Sequence, residues 1–306
     1  MKLKIRHSTK YKYAGEVSHS VNQLCLIPRS TLSQQRLNNH LTVVPTPAKI
    51  YFYEDGFGNP MANYTIEENH DYCEVESTSL VETSMFEQTI TPNGIGIDQI
   101  KESLKADRTQ DGLLASKCLL PSQNVQALTG TGTAVDNLLK QNSSVNGFAE
   151  NLMRWIFEEF EYDPSFSTVV TTSQKVWDAK RGVCQDFAHL ALSILREVGI
   201  PARYVSGYLE TLPPPGQKKL EGSDASHAWY SVYTPDDGWV DFDPTNNQRP
   251  DYRYVTTAWG RDYGDVAPLK GVVYGGGSQS VSVSVDVNRV DGSMFTVDEN
   301  TSTSNQ

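Results

Sequence analysis

Apolar and polar positions alternate along the first ninety residues. Leu3, Ile5 and His7 interleave with Lys2, Lys4 and Arg6, and Tyr11-Lys-Tyr, Leu41-Thr-Val-Val, Ile50-Tyr-Phe-Tyr and Tyr72-Cys-Glu-Val follow at short intervals. Turn formers separate these runs: Ala14-Gly15, Pro28-Arg-Ser, Pro45-Thr-Pro and Asp55-Gly-Phe-Gly-Asn-Pro60. Period-two runs with such punctuation predict short strands in a β-sandwich. Farther along, the period changes. Phe148, Leu152, Trp155, Ile156 and Phe160 form one stripe of a helix over 147–160. Phe187, Ala188, Ala191, Ile194, Leu195 and Val198 predict a second helix over 184–198, which Gly199 and Pro201 stop. Strands are expected at 202–209, 227–233 and 239–243, and Val281, Val283, Val285 and Val287 mark one more half-buried strand.

Between these regions the pattern weakens. Pro92-Asn-Gly-Ile-Gly opens a loop, short helical patterns run from Ile97 to Leu120, Pro121 stops them, and Leu128-Thr-Gly-Thr-Gly-Thr-Ala is a small polar connection. The chain is therefore read as α+β in three parts: a β-rich domain over 1–95, a helical and loop connection over 96–140, and a mixed domain over 141–306. The last of these includes the Val-rich strand and a polar tail from Asn300. Leu212-Pro-Pro-Pro-Gly-Gln-Lys-Lys reads as a surface loop.

Charge and cysteine usage narrow the setting. The 306 residues carry 26 Lys+Arg and 37 Asp+Glu, a net −11 with His neutral. That balance disfavours nucleic acid or an anionic membrane as main partner, since phosphate binding needs clustered cations. The start has no apolar stretch of signal-peptide type, and no run is long enough for a membrane-spanning helix. Cys25, Cys73, Cys118 and Cys184 are widely spaced with no C-x-x-C pair, which fits free thiols in a reducing cytoplasm. On that reading the three N-x-S/T sequons carry no meaning. Nothing in the pattern specifies an oligomeric state.

Two segments hold candidate chemistry. In Arg181-Gly-Val-Cys184-Gln-Asp-Phe-Ala188 a thiol stands at the first turn of an apolar-faced helix. The unpaired N–H groups and partial positive charge of a helix start favour thiolate and suit a developing oxyanion. The competing reading is a buried structural cysteine. His189, five positions on, lies some 140° around the helix and is read as structural. Asp186 is accounted for as a helix-start carboxylate.

The second segment is a hairpin. With period two, His227, Trp229, Ser231 and Tyr233 share one strand face, and Trp239, Asp241 and Asp243 share the face of the next strand. A connection of odd length pairs Tyr233 with Trp239 and Trp229 with Asp243, which makes His227 the diagonal neighbour of Asp243. Here too an alternative stands: an ordinary strand histidine and a strand-end aspartate. Taken together, Cys184, His227 and Asp243 supply nucleophile, base and base-orienter.

Arg181-Gly-Val-Cys-Gln-Asp-Phe-Ala-His, Ser226-His-Ala-Trp and Gly238-Trp-Val-Asp-Phe-Asp-Pro-Thr245 resemble the cysteine, histidine and aspartate motifs of the transglutaminase-like superfamily. Order and spacing agree, with 43 residues from Cys184 to His227 and 16 more to Asp243. Residues 1–90 are similar to the N-terminal region of its bacterial branch, and Gly260–Gly271 with Gly275–Gly277 to its C-terminal segment. The resemblance implies a papain-like core, with the cysteine-bearing helix packed on an antiparallel sheet behind an N-terminal β-sandwich-like domain. It implies Cys184 as nucleophile, His227 as general base and acid, and Asp243 as its orienter, in preference to Asp241. Protease or amidase chemistry on a protein or peptide substrate is expected, with amine transfer or a non-catalytic binding module as alternatives. No cofactor and no metal are expected. Trp177, Gln185, Trp229 and Trp239 are candidates for the cleft or the oxyanion site, against plain packing for the tryptophans.

Overall fold

The structure is a computed structural model that describes residues 1–84, 90–91, 94–142, 144–168, 171–211, 222 and 224–290. The proline-rich loop at 212–219 and the tail from 300 lie outside these residues. In chain order come β1 (Lys2–Leu24), β2 (Gln34–Val44), β3 (Ile50–Glu54), β4 (Pro60–Ile66) and β5 (His70–Thr83). Four helices follow: α1 (Ile97–Ala106), α2 (Gln110–Lys117), α3 (Gly132–Gln141) and α4 (Val145–Glu159). Then come β6 (Glu161–Tyr162), α5 (Ser173–Ala179), β7 (Arg181–Gly182), α6 (Cys184–Val198), β8 (Ala202–Leu209), β9 (Ser226–Thr234), β10 (Gly238–Phe242) and β11 (Tyr254–Gly260). The order closes with α7 (Tyr263–Val266), β12 (Leu269–Gly275) and β13 (Gln279–Arg289).

The first sheet has seven antiparallel strands arranged about β1. β1 is one strand of 23 residues where sequence punctuation predicted several short ones. Its two halves have different neighbours. Residues 2–13 lie between β5 and β13, and residues 20–24 between β4 and β12. Each flanking pair thus reads as one long ribbon broken at the same level, and β2 and β3 form a third outside β5 and β4. Along this crease Ala14 N donates to Ser278 O (2.8 Å), Gly15 N to Gly276 O (2.9 Å) and Gly276 N to Glu16 O (2.9 Å). Ala14-Gly15 is therefore a bulge inside the strand. Gly275, Gly276 and Gly277 meet it at φ of 99°, 80° and 65°, and a Cβ on Gly275 would stand 2.5 Å from Glu16 O.

Tyr13, Val43, Cys73 and Val75 on one side of the crease bury together with Val17, Leu24, Ala62, Tyr64 and Ile66 on the other. The sandwich-like core is thus enclosed by two halves of one bent sheet. β12 and β13, grouped by the sequence reading with the catalytic part of the chain, belong to this N-terminal sheet. Of the valines expected to share a buried face, Val285 and Val287 are buried where the two sheets meet while Val281 and Val283 stay exposed, and the pairing with β1 leaves no local signature. The 96–140 segment is likewise more than a connection. Ile100, Leu104, Ala115, Val135 and Leu138 join one cluster with Phe148, Leu152 and Leu192.

The second sheet has four antiparallel strands in the order β10-β9-β8-β11. α6 packs on it through Phe187, Ala188, Ala191, Ile194 and Leu195, all buried with Tyr204, Tyr230 and Phe242 of the strands. Burial of each of the large side chains Phe187, Ile194 and Leu195 contributes about 1.5–3 kcal/mol. The helix ends where its periodicity predicts: Gly199 takes φ 88°, and Ile200 N donates to Leu195 O (2.8 Å).

The two sheets meet through Leu3, Ile5, Val81, Val285 and Val287 against Tyr208 and Val255. β13 also holds the approach to β9. Asp224 N donates to Val285 O (3.1 Å), and Val287 N donates to Asp224 Oδ2 (2.7 Å), three residues before His227. Among the described residues no helix is long and apolar enough to cross a membrane.

Candidate active site

Cys184 is the first residue of α6, and its local sequence makes the helix start there. Asp186 Oδ2 accepts from Val183 N (2.9 Å), and the first N–H of the helical ladder is Phe187 N to Val183 O (3.0 Å). The amides of Cys184 and Gln185 stand ahead of that ladder, where helix-start N–H groups await partners. Gly182 is needed beside this turn, since a Cβ there would lie 2.9 Å from Asp186 Cβ. Cys184 is partly exposed, whereas Cys25, Cys73 and Cys118 are buried. Burial pushes the thiols of those three up, that of Cys25 to about 12.

The hairpin takes the odd register. Tyr233 pairs with Trp239 and Tyr230 with Phe242, so that Asp243, just past β10, falls beside Trp229 on the face of His227. The side chains meet: His227 Nε2 donates to Asp243 Oδ2 at 2.7 Å. Burial alone would lower the His227 pKa. Hydrogen bonds to Asp243 and to the Cys184 sulfur, with the charges of both, override it and raise the value from 6.5 to about 10. The same contact, outweighing burial, holds the Asp243 carboxyl below its ordinary value. The imidazole thus lies between the helix-start thiol and a fully buried carboxylate.

The competing carboxylate goes elsewhere. Asp241 pairs with Ser231 across the hairpin, and its charge acts on Arg203, which pairs with Ser231 from the other side. Trp229 is fully buried behind the imidazole, with ring centroids 6.0 Å apart. Trp239 packs tilted against Tyr233 and under the Arg203 guanidinium, four residues from Asp243 and so about 13 Å along the strand. It is not brought to the His–Asp pair. Trp177 packs among Trp155 and Phe160 with Lys180 Nζ 3.5 Å from its ring centre. Gln185 stays partly exposed in the first turn of α6, next to Cys184. His189 is buried, accepts from Tyr263 N (3.1 Å) and is lowered by burial to about 4, in keeping with a structural residue.

Sequence reasoning missed the groups around Asp243. Its Oδ1 accepts from Thr245 N (2.9 Å), and its Oδ2 accepts from Asn246 Nδ2 and from Tyr254 Oη, each at 2.7 Å. Thr245 and Asn246 follow Asp243 after Pro244 and could have been read as an Asx-type turn. Tyr254 begins another strand and gives no such signal.

Residues 133–244 match the transglutaminase-like superfamily core, and residues 3–82 match the bacterial transglutaminase-like N-terminal region. An uncharacterized protein of Mycobacterium tuberculosis is 36% identical over 292 residues, covering 93% of this chain and 91% of that one. The chain belongs to the transglutaminase-like superfamily. A second relative, from Mycobacterium leprae, is 32% identical over 292 residues and covers 94% of this chain and 99% of its own. The fold of this superfamily member is shared with the crystal structure of a candidate cysteine protease from Cytophaga hutchinsonii. That match has a TM-score of 0.68 at 23% identity, over 98% of this chain and 95% of that one. The antiparallel sheet with the cysteine-bearing helix packed on it is the papain-like core of the superfamily.

Proposed function

We propose that this protein is a cysteine-dependent acyl-transfer enzyme that hydrolyses a peptide or carboxamide bond through Cys184, His227 and Asp243. The observation that carries the reading is the 2.7 Å His227–Asp243 contact, on an imidazole whose proton affinity the Cys184 sulfur also raises. The Cys184 sulfur attacks the substrate carbonyl carbon. The oxyanion forms beside the free amides of the helix start, where fixed donors are worth most. Protonated His227 gives its proton to the leaving nitrogen, the C–N bond breaks, and an acyl-enzyme thioester remains. Neutral His227 then takes a proton from water, whose oxygen attacks the thioester. The carboxylic acid leaves, and the proton returns to the Cys184–His227 pair. Asp243 keeps Nε2 engaged, which leaves Nδ1 for the exchange with the sulfur. The chemistry needs no cofactor, the substrate is a protein or peptide, and the reaction belongs in a reducing compartment, the cytoplasm.

One observation favours an amine acceptor in place of water. A protein-glutamine gamma-glutamyltransferase of Pseudomonas aeruginosa is 33% identical over 103 residues, which cover 33% of this chain and 15% of that protein. Mass spectrometry of a peptide library incubated with the wild type and with Cys184→Ala separates the readings. Cleavage or deamidation supports hydrolysis, and cross-linked products support amine transfer. Cys184→Ala is expected to lower turnover by at least about a thousandfold, since removal of a covalent nucleophile costs that much or more. Product formation unaffected by that substitution would refute the reading.

A further inference from the structure

The loop that joins β10 to β11 is a closed hydrogen-bonded unit around Asp243. Asp243 and Gln248 exchange both backbone bonds, N to O at 3.0 and 3.3 Å, and Tyr254 N donates to Asp251 O (3.0 Å). Inside it runs a directional chain of side chains. Arg253 is held by Asp251 through Nε (3.0 and 3.1 Å) and through a second guanidinium nitrogen (2.9 Å). It donates to Gln248 Oε1 at 3.5 Å. With the carbonyl side of that amide facing a cation, its Nε2 faces the Tyr254 oxygen, at 2.6 Å. The Tyr254 oxygen accepts this hydrogen, and its own hydrogen is directed to Asp243 Oδ2, at 2.7 Å. The Tyr254 ring also backs the site, 5.9 Å from the His227 ring and 5.4 Å from that of Trp229.

We propose that Tyr254 is a positioning residue that acts on His227 through Asp243, and that Gln248 fixes the direction in which its hydroxyl donates. The proposal rests on the triad reading given above. Asp243 Oδ2 is shared by three donors: His227, Asn246 and Tyr254. Each donor takes part of the carboxylate's charge, so the hydroxyl sets how strongly the imidazolium is held. The titratable groups that face His227 are Cys184 from α6, Asp243 from the end of β10 and Tyr254 from β11. Asn246 Nδ2 covers the His–Asp bond 3.4 Å from His227 Nε2 and carries no charge. Loss of the Tyr254 hydroxyl concentrates the Oδ2 charge on His227.

The test uses the full chain with two readouts, the rate of Cys184 alkylation by iodoacetamide and the NMR titration of the His227 imidazole. Tyr254→Phe keeps the ring and is expected to move the His227 midpoint upward by about half a pH unit. Gln248→Met frees the hydroxyl to turn and is expected to give a smaller shift of the same sign. Because Gln248 acts only through the hydroxyl, adding Gln248→Met to Tyr254→Phe should move the midpoint no further. A merely structural tyrosine would not produce that non-additive titration. An unmoved midpoint in Tyr254→Phe, or fully additive shifts in the double variant, overturns the proposal. If Tyr254→Phe does not fold, an unmoved midpoint in Gln248→Met alone overturns it. Failure of the triad reading looks different: wild-type alkylation no faster than a free thiol and insensitive to His227→Ala, with His227 titrating near 6.5.

Discussion

The four-stranded sheet takes every strand from residues 202–260, one continuous stretch of chain. The seven-stranded sheet inserts β1 between ribbons from 60–83 and 269–289, so that Leu3 pairs with Arg289 and Val81. One region closes on itself locally, and the other is stitched from distant parts of the chain. Yet the distant stitching supports the local chemistry, because β13 grips Asp224 just ahead of the His227 strand. The lesson is that the reacting groups lie in the locally built sheet while part of their placement depends on the non-local one.

That contrast can be broken most forcefully by removing residues 268–306, which deletes β12 and β13. One edge of β1 would lose its partner, and Leu3, Ile5, Tyr208 and Val255 would lose part of their cover. Loss of cooperative unfolding by circular dichroism is expected, with aggregation through the bare edge. A soluble truncated chain with His227-dependent alkylation of Cys184 would show that the catalytic sheet stands alone. Next in size, Leu3→Ala should cost about 3 kcal/mol in denaturant unfolding, within the range for a fully buried leucine. It should also slow Cys184 alkylation if the junction between the sheets positions the site. An unchanged rate at the lower stability would separate the two regions.

The pH dependence sharpens the comparison further. Folded His227 keeps its proton to about pH 10 while an unfolded histidine releases it near 6.5. The folded chain binds more protons between those values, so this contribution is complete below pH 6.5 and is lost as pH rises toward 10. Melting temperature should fall across that window, and His227→Ala should flatten the slope. The smallest effect lies on the acid side. His7, beside Tyr208 where the sheets meet, and His189, in the catalytic core, are both lowered by burial to about 4. Each contributes stability above pH 6.5 that is lost as pH falls toward 4, since the unfolded chain takes up the proton first. His7→Gln and His189→Gln should each remove part of the acid slope. A slope reduced by only one of them would assign acid sensitivity to that region alone.

How much of this was legible in the sequence follows the same division. The α6 boundaries and the hairpin register were readable because helix period, a terminal glycine and an odd turn act over a few residues. The continuous β1 was not, because Ala14-Gly15 looks like a turn until Gly276 is placed opposite it. β12 gave no strand signal of its own. Val281 to Val287 did read as a strand, but alternation names a buried face and not the partner that covers it. Around the site, Cys184, His227 and Asp243 could be proposed from residue type and spacing. Tyr254 and Gln248 could not, because their roles arise from a loop that folds back on Asp243.

The crease at Gly15 and Gly275–Gly277 has a further consequence for how the chain is made. Synthesis delivers β1 first and β12 and β13 last, about 245 residues later. At 5–20 residues per second, one edge of the 23-residue strand stays without its partner for roughly 12–50 s. Over that interval the nascent protein offers an open template for mispairing. Lys2, Lys4, Lys10 and Lys12, exposed along β1, are suited to guard it, since charged side chains on a bare strand discourage a second copy from adding there.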